Sequence, residues 1–158
     1  MSNTKKILVT GGGGFLGMAI VKRLLNSGAH VVSMSRNRYA DLEGLGVEQV
    51  QGDIADPSAV ESAITGCDTV FHTAARFGIW GNYDDFYRTN VTGTINIVDA
   101  CRRQGVRQLI HTSSPSVVFN GTDMENVDES IPYPDVQHAH YPKTKPLRSV
   151  MFAVRHRK

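Results

Sequence analysis

Thr10-Gly11-Gly12-Gly13-Gly14-Phe15-Leu16-Gly17 is the stretch that decides how this chain reads. Before it stands a short apolar run, Ile7-Leu8-Val9; after it, Leu16, Ile20, Leu24 and Leu25 recur at helical spacing as far as Ser27. The order is therefore strand, glycine turn, helix. Gly11, Gly14 and Gly17 make a Gly-x-x-Gly-x-x-Gly spacing. Missing Cβ atoms there permit a tight turn, a close approach of backbone to a pyrophosphate, and packing of helix on strand. The unpaired N–H groups of the first helical turn add an anion site. A glycine trio alone fits any flexible turn; the strand and helix around it point to a bound dinucleotide.

Outward from that loop the alternation continues. Val31 to Met34 reads as a second strand, Val47 to Val50 as a third, Thr69 to Phe71 as a fourth and Val106 to His111 as a fifth. Between them, Asp56-Pro57 supplies an N-cap and a first-turn proline for a helix through Ile64. A long helix is expected over about Asp84 to Gln104, carrying Phe86, Val91, Ile95, Val98 and Cys101 inward and stopped by Gly105. Strands separated by helices imply βαβ units and right-handed crossovers. The expected fold is α/β: a Rossmann-type, doubly wound parallel sheet. Residues Asn120 to His140, rich in Asp, Pro and Asn, read as a long surface loop bordering the site.

Composition narrows the function classes. The 158 residues carry 17 Lys+Arg against 15 Asp+Glu, a formal charge of +2, which gives no basic face for a nucleic acid. With 41% hydrophobic and 20% charged residues, the chain is of globular composition. No apolar run is long enough for a membrane span, and the polar Met1 to Lys6 segment is unlike a signal peptide. Cys67 and Cys101 lie far apart and read as buried free thiols of a cytoplasmic protein. His138 and His140 lack further ligands at metal spacing, so no metal site is expected.

Two further segments carry chemistry. Where an NAD site would place a carboxylate for the ribose 2′-hydroxyl, after the second strand, this chain has Ser35-Arg36-Asn37-Arg38. Guanidinium binds a 2′-phosphate that a carboxylate would repel, so Arg36 favours NADP, with NAD still open. Tyr141-Pro142-Lys143-Thr144-Lys145 sets a phenol and an ammonium on one helix face. A phenol with a pKa of about 10 needs a neighbouring positive charge to act as an acid or base near neutrality.

Together these residues resemble the extended short-chain dehydrogenase/reductase family, over nearly the whole chain up to Lys145. Thr10 to Gly17, with Phe15 and Leu16 among the cofactor contacts, is similar to its nucleotide loop. Gly52-Asp53-Ile54 is similar to its adenine-contacting segment, and His72-Thr73-Ala74-Ala75 to its fourth-strand motif, which places Ala74 and Ala75 at the cofactor. The resemblance implies that Ser114 (or Ser113) hydrogen-bonds the substrate oxygen, that Tyr141 donates the proton, and that Lys145 activates Tyr141 and holds the nicotinamide ribose. The segments Phe77-Gly78-Ile79-Trp80-Gly81, Phe86 to Val91 and Ser113 to Phe119 resemble the 3β-hydroxysteroid and sterol dehydrogenase branch, which includes 2-alkyl-3-oxoalkanoate reductases. That branch implies a large hydrophobic substrate with oxygen at carbon 3. Sugar-nucleotide epimerases share the glycine loop and the Tyr/Lys pair and stay open, as does a dinucleotide-binding module without chemistry. A homodimer is one assembly compatible with the family.

The chain departs from the family pattern at its end. Extended members run to about twice this length, whereas only 13 residues follow Lys145. The expected organisation is a nucleotide-binding domain over 1–145 and an atypical tail over 146–158, with the substrate domain missing. Pro146 falls where the Tyr/Lys helix should continue; in a helix interior proline costs about 3 kcal/mol. One synonymous codon set for Pro146 to Arg155, preceded by a single added G, encodes Ala-Leu-Ala-Glu-Arg-Asp-Val-Arg-Arg-Ala, the amphipathic continuation the family leads one to expect. The expectation is a one-nucleotide deletion that truncated a longer enzyme and left this product inactive; the gene's downstream reading frame tests it.

Overall fold

The computed structural model describes residues 5–78, 80–128, 130–132, 134–135 and 139–145. Five strands form one parallel sheet in the order β3-β2-β1-β4-β5: β1 (Lys6–Thr10), β2 (His30–Ser35), β3 (Glu48–Gln51), β4 (Thr69–His72) and β5 (Gln108–His111). Leu8 lies opposite Val32 on one side and Val70 on the other. After β3 the chain crosses back to the far side of β1. That reversal, between β1 and β4, opens a crevice beyond the carboxyl ends of the strands.

Alternation along β1 feeds two cores. Leu8 joins Val32, Met34, Val60, Ile64, Val70 and Ile97 beneath α3 (Pro57–Ile64) and α5 (Gly93–Arg103). Its neighbour Val9 faces the other way, toward Val21, Val31, Leu42 and Val47, under α1 (Phe15–Asn26) and α2 (Ala40–Gly44). Both faces of the sheet are thus covered, which is why its strands read as continuous apolar runs. Asp56 caps α3 as the sequence predicts, accepting from Ser58 N at 2.9 Å, with Pro57 at the first helical position.

Several expectations need correction. Leu16, which helical spacing sets on one face with Ile20, Leu24 and Leu25, is 45% exposed, while Gly17 and Val21 are the buried residues of α1. The predicted helix from Asp84 to Gln104 is three joined pieces: α4 (Tyr83–Phe86), a π-helical segment (Tyr87–Thr92) and α5. Ile95, expected inside, is 39% exposed, because the extra residue of the π-segment rotates the helix beyond it. Helix α2 has no counterpart in the sequence reading; a single buried Leu42 anchors its five residues. Strand β5 begins at Gln108 rather than Val106, which is buried ahead of it. A 3₁₀ turn (Pro115–Val117) and a short α6 (His140–Thr144) complete the elements. Pro146, the 146–158 tail and His138 lie outside the described residues.

A candidate dinucleotide cleft at the sheet's carboxyl edge

The crevice is a cleft of about 480 Å³ lined by the glycine loop, the end of β2, the Asp53 segment, the residues after β4, and Tyr141 and Lys145. Its floor is made by glycines that have no room for a side chain. Gly11 has φ of +72°, a left-handed conformation costly for other residues. A Cβ there would also lie 3.1 Å from the backbone of Ala74. At Gly17 a Cβ would overlap the Gly11 carbonyl, so the first turn of α1 sits directly on the loop. Gly14 caps that helix with extended backbone and offers no side-chain hydrogen bond, leaving the N-terminal N–H groups facing the cleft. This is a cradle for a pyrophosphate, and the residues present fit a dinucleotide.

Along the rest of the cleft, Arg36 is exposed at the end of β2. The Asp53 carboxylate accepts from Ala55 N at 2.9 Å and pairs with the Arg88 guanidinium at 2.9 Å. Phe15, Leu16, Ile54, Ala74 and Ala75 also line the wall. The exposure of Leu16 now has a reason: it faces the cleft rather than the core.

Lys145 is 6% exposed, and its Nζ donates to the Thr112 carbonyl at 2.8 Å. Burial pushes its ammonium down from 10.5 to about 8. Its backbone N donates to the Tyr141 carbonyl at 3.1 Å, so one helical turn sets both side chains on the same wall. Ser114 does not line the cleft. Its hydroxyl caps the 3₁₀ turn, 3.3 Å from Ser116 N, and shares a 2.9 Å hydrogen bond with the Ser116 hydroxyl.

Beneath the cleft runs a buried polar chain that the sequence reading missed. Thr10 Oγ1 meets His72 Nδ1 at 2.7 Å, and His72 Nε2 meets Thr94 Oγ1 at 3.0 Å. Thr94 spends its own proton on the Asn90 carbonyl at 2.6 Å. Its oxygen therefore accepts from His72, which makes Nε2 the protonated nitrogen and Nδ1 the acceptor from Thr10. Burial, then His111 and Lys145, hold His72 well below its usual pKa, so the ring is neutral. Farther on, Asn90 Nδ2 donates to Thr144 Oγ1 at 2.9 Å, tying the π-segment to α6. The only trace of this chain in the sequence is polar residues on otherwise apolar faces.

A model of the 3-beta hydroxysteroid dehydrogenase/isomerase family matches residues 8–152, nearly the whole chain. The chain belongs to that family. Among its relatives, a 2-alkyl-3-oxoalkanoate reductase of Stenotrophomonas maltophilia is 44% identical over 144 residues, covering 90% of this chain and 44% of the relative. The decarboxylating sterol-4-alpha-carboxylate 3-dehydrogenase of Mus musculus is 38% identical over 151 residues, 94% of this chain and 40% of the relative. In structure, a short-chain dehydrogenase/reductase superfamily protein from Agrobacterium tumefaciens with bound NAD superimposes with a TM-score of 0.78 at 32% identity. That match covers 89% of this chain and 42% of the other. This member of the 3-beta hydroxysteroid dehydrogenase/isomerase family thus spans about two fifths of the length of the curated relatives it matches. Among the described residues, no helix is long and apolar enough to cross a membrane. No group of three or more metal-ligating side chains occurs among them either.

Proposed function

We propose that this chain is the nucleotide-binding part of an NADP(H)-dependent oxidoreductase acting on the 3-oxo or 3-hydroxy group of a large hydrophobic molecule. The observation that carries this reading is the meeting of Tyr141 and Lys145 with the glycine loop in one cleft. A bound nicotinamide supplies or accepts the hydride. The chain's own residues do the rest. Gly11 to Gly17 hold the pyrophosphate, Arg36 takes the 2′-phosphate, and Asp53 and Ile54 flank the adenine.

Tyr141 donates its phenolic proton to the oxygen of the reduced carbonyl, and Lys145 stabilises the resulting phenolate. With its pKa near 8, Lys145 keeps that positive charge at neutral pH. Ser114, once its hydroxyl turns from Ser116 toward the substrate, or Ser113 beside it, hydrogen-bonds the same substrate oxygen. The named activities of the bacterial and murine relatives support an oxygen at carbon 3 of a hydrophobic substrate.

The test has two parts. NADPH titration of the chain as it stands should show binding. Turnover of a 3-oxo acid or a 3β-hydroxysteroid, assayed in a chain extended to the length of the curated relatives, should collapse in Tyr141→Phe with cofactor binding intact. Near-normal rates in Tyr141→Phe would eliminate the mechanism.

A further inference from the structure

The loop that carries Arg36 is exposed from residue 36 to residue 39, so no core packing sets its shape. Besides the Ser35 hydroxyl, which donates to the Asn37 carbonyl, and the first turn of α2, whose Leu42 N and Glu43 N donate to the Tyr39 carbonyl, its hold comes from the edge strand β3. The ladder between β2 and β3 ends at Ser35 opposite Gln51. Past that point side chains take over: Gln51 Nε2 donates to the Arg36 carbonyl at 2.9 Å. Two residues earlier, Gln49 accepts from Tyr39 N at 2.9 Å and donates to the Tyr39 carbonyl at 3.1 Å. One side-chain amide thereby makes the paired contacts a neighbouring strand would make. Residues two apart on a strand share a face, so both glutamines reach the same loop, one at each end.

Fixing Tyr39 fixes more than backbone. Its ring lies against Gly13, where a Cβ would overlap it, and the ring lines the cleft together with Arg36. Two walls of the adenosine end are thus held by one strand. Immobilising two glutamine side chains costs rotamer entropy. The return is a loop already ordered when the ligand arrives, which lowers the entropy lost on binding.

We propose that Gln49 and Gln51 are positioning residues that set the choice of NADPH over NADH by holding the 36–39 loop, and with it Arg36, in place. The inference rests on the reading of Arg36 as the 2′-phosphate contact.

Equilibrium titration of the 158-residue chain with NADPH and with NADH tests it. Gln49→Met and Gln51→Met keep side-chain length and remove the hydrogen bonds. The paired variant should bind NADPH about 3- to 10-fold more weakly, the worth of roughly one net hydrogen bond, with NADH affinity unchanged. Equal weakening of both nucleotides would mean a merely structural role and would overturn the proposal. So would an undiminished NADPH preference; if Arg36→Asp abolishes the preference in the same series, the NADP reading stands and only the glutamine proposal falls. A wild-type chain that binds both nucleotides equally overturns both.

Discussion

Replacing Asn90 by alanine should loosen the joint between the π-segment and the Tyr/Lys turn. Asn90 is 3% exposed. Its side chain accepts from Arg76 N at 2.8 Å and donates to the Arg76 carbonyl at 3.0 Å and to Thr144 Oγ1 at 2.9 Å. Truncation strands these partners unequally. The Arg76 backbone is only partly buried and recovers some hydration, whereas Thr144 is fully buried but keeps its bonds to the His140 and Tyr141 carbonyls. A buried group left unpaired costs about 1–3 kcal/mol. With this partial compensation the expected loss is roughly 2–4 kcal/mol, or about 5–15 °C in Tm for a domain of this size. Urea denaturation followed by circular dichroism measures it. Asn90→Asp should be as damaging, since it turns a donor toward the Arg76 carbonyl into a second acceptor. A loss below about 1 kcal/mol in both variants, with unchanged m-value, would refute the view that this amide holds the joint.

Gly17→Ala should destabilise the fold by about 1–3 kcal/mol and abolish NADPH binding, because the added Cβ meets the backbone of Gly11 and Gly12, which cannot swing aside; unaltered binding in a titration would contradict this. Arg36→Asp should weaken NADPH binding by roughly 1–3 kcal/mol while sparing NADH; equal effects on both nucleotides would remove Arg36 from the phosphate site. Lys145, lowered from 10.5 to about 8 by burial, releases its proton in the folded state before the unfolded chain does. Between those values the unfolded chain binds more protons, so stability relative to Lys145→Met should rise with pH across that window. Parallel pH–stability curves for the two proteins would show that Lys145 is not desolvated.

The local grammar of the fold was legible in the sequence. Glycine spacing at residues 11, 14 and 17, the Asp56-Pro57 helix start and the apolar strand runs each depend on neighbours within a few positions, where steric and hydrogen-bonding rules act directly. The Tyr141/Lys145 pair was legible for the same reason: four residues of helix place both on one wall. Helical spacing puts Leu16 on the apolar stripe but does not give the surroundings that stripe faces; its outer end meets the cleft, where the resemblance placed it among the cofactor contacts. For Ser114 the spacing does not give the local bonds: its hydroxyl caps the following 3₁₀ turn through Ser116 N. Only the tertiary structure decided the long-range polar wiring. Thr10 and His72 are 62 positions apart, and Asn90 and Thr144 are 54 apart. Nothing in the spacing of such residues encodes their meeting. They are joined because the parallel sheet sets β1 beside β4 and α6 returns against the π-segment, and because polar groups buried by that packing must find their partners there.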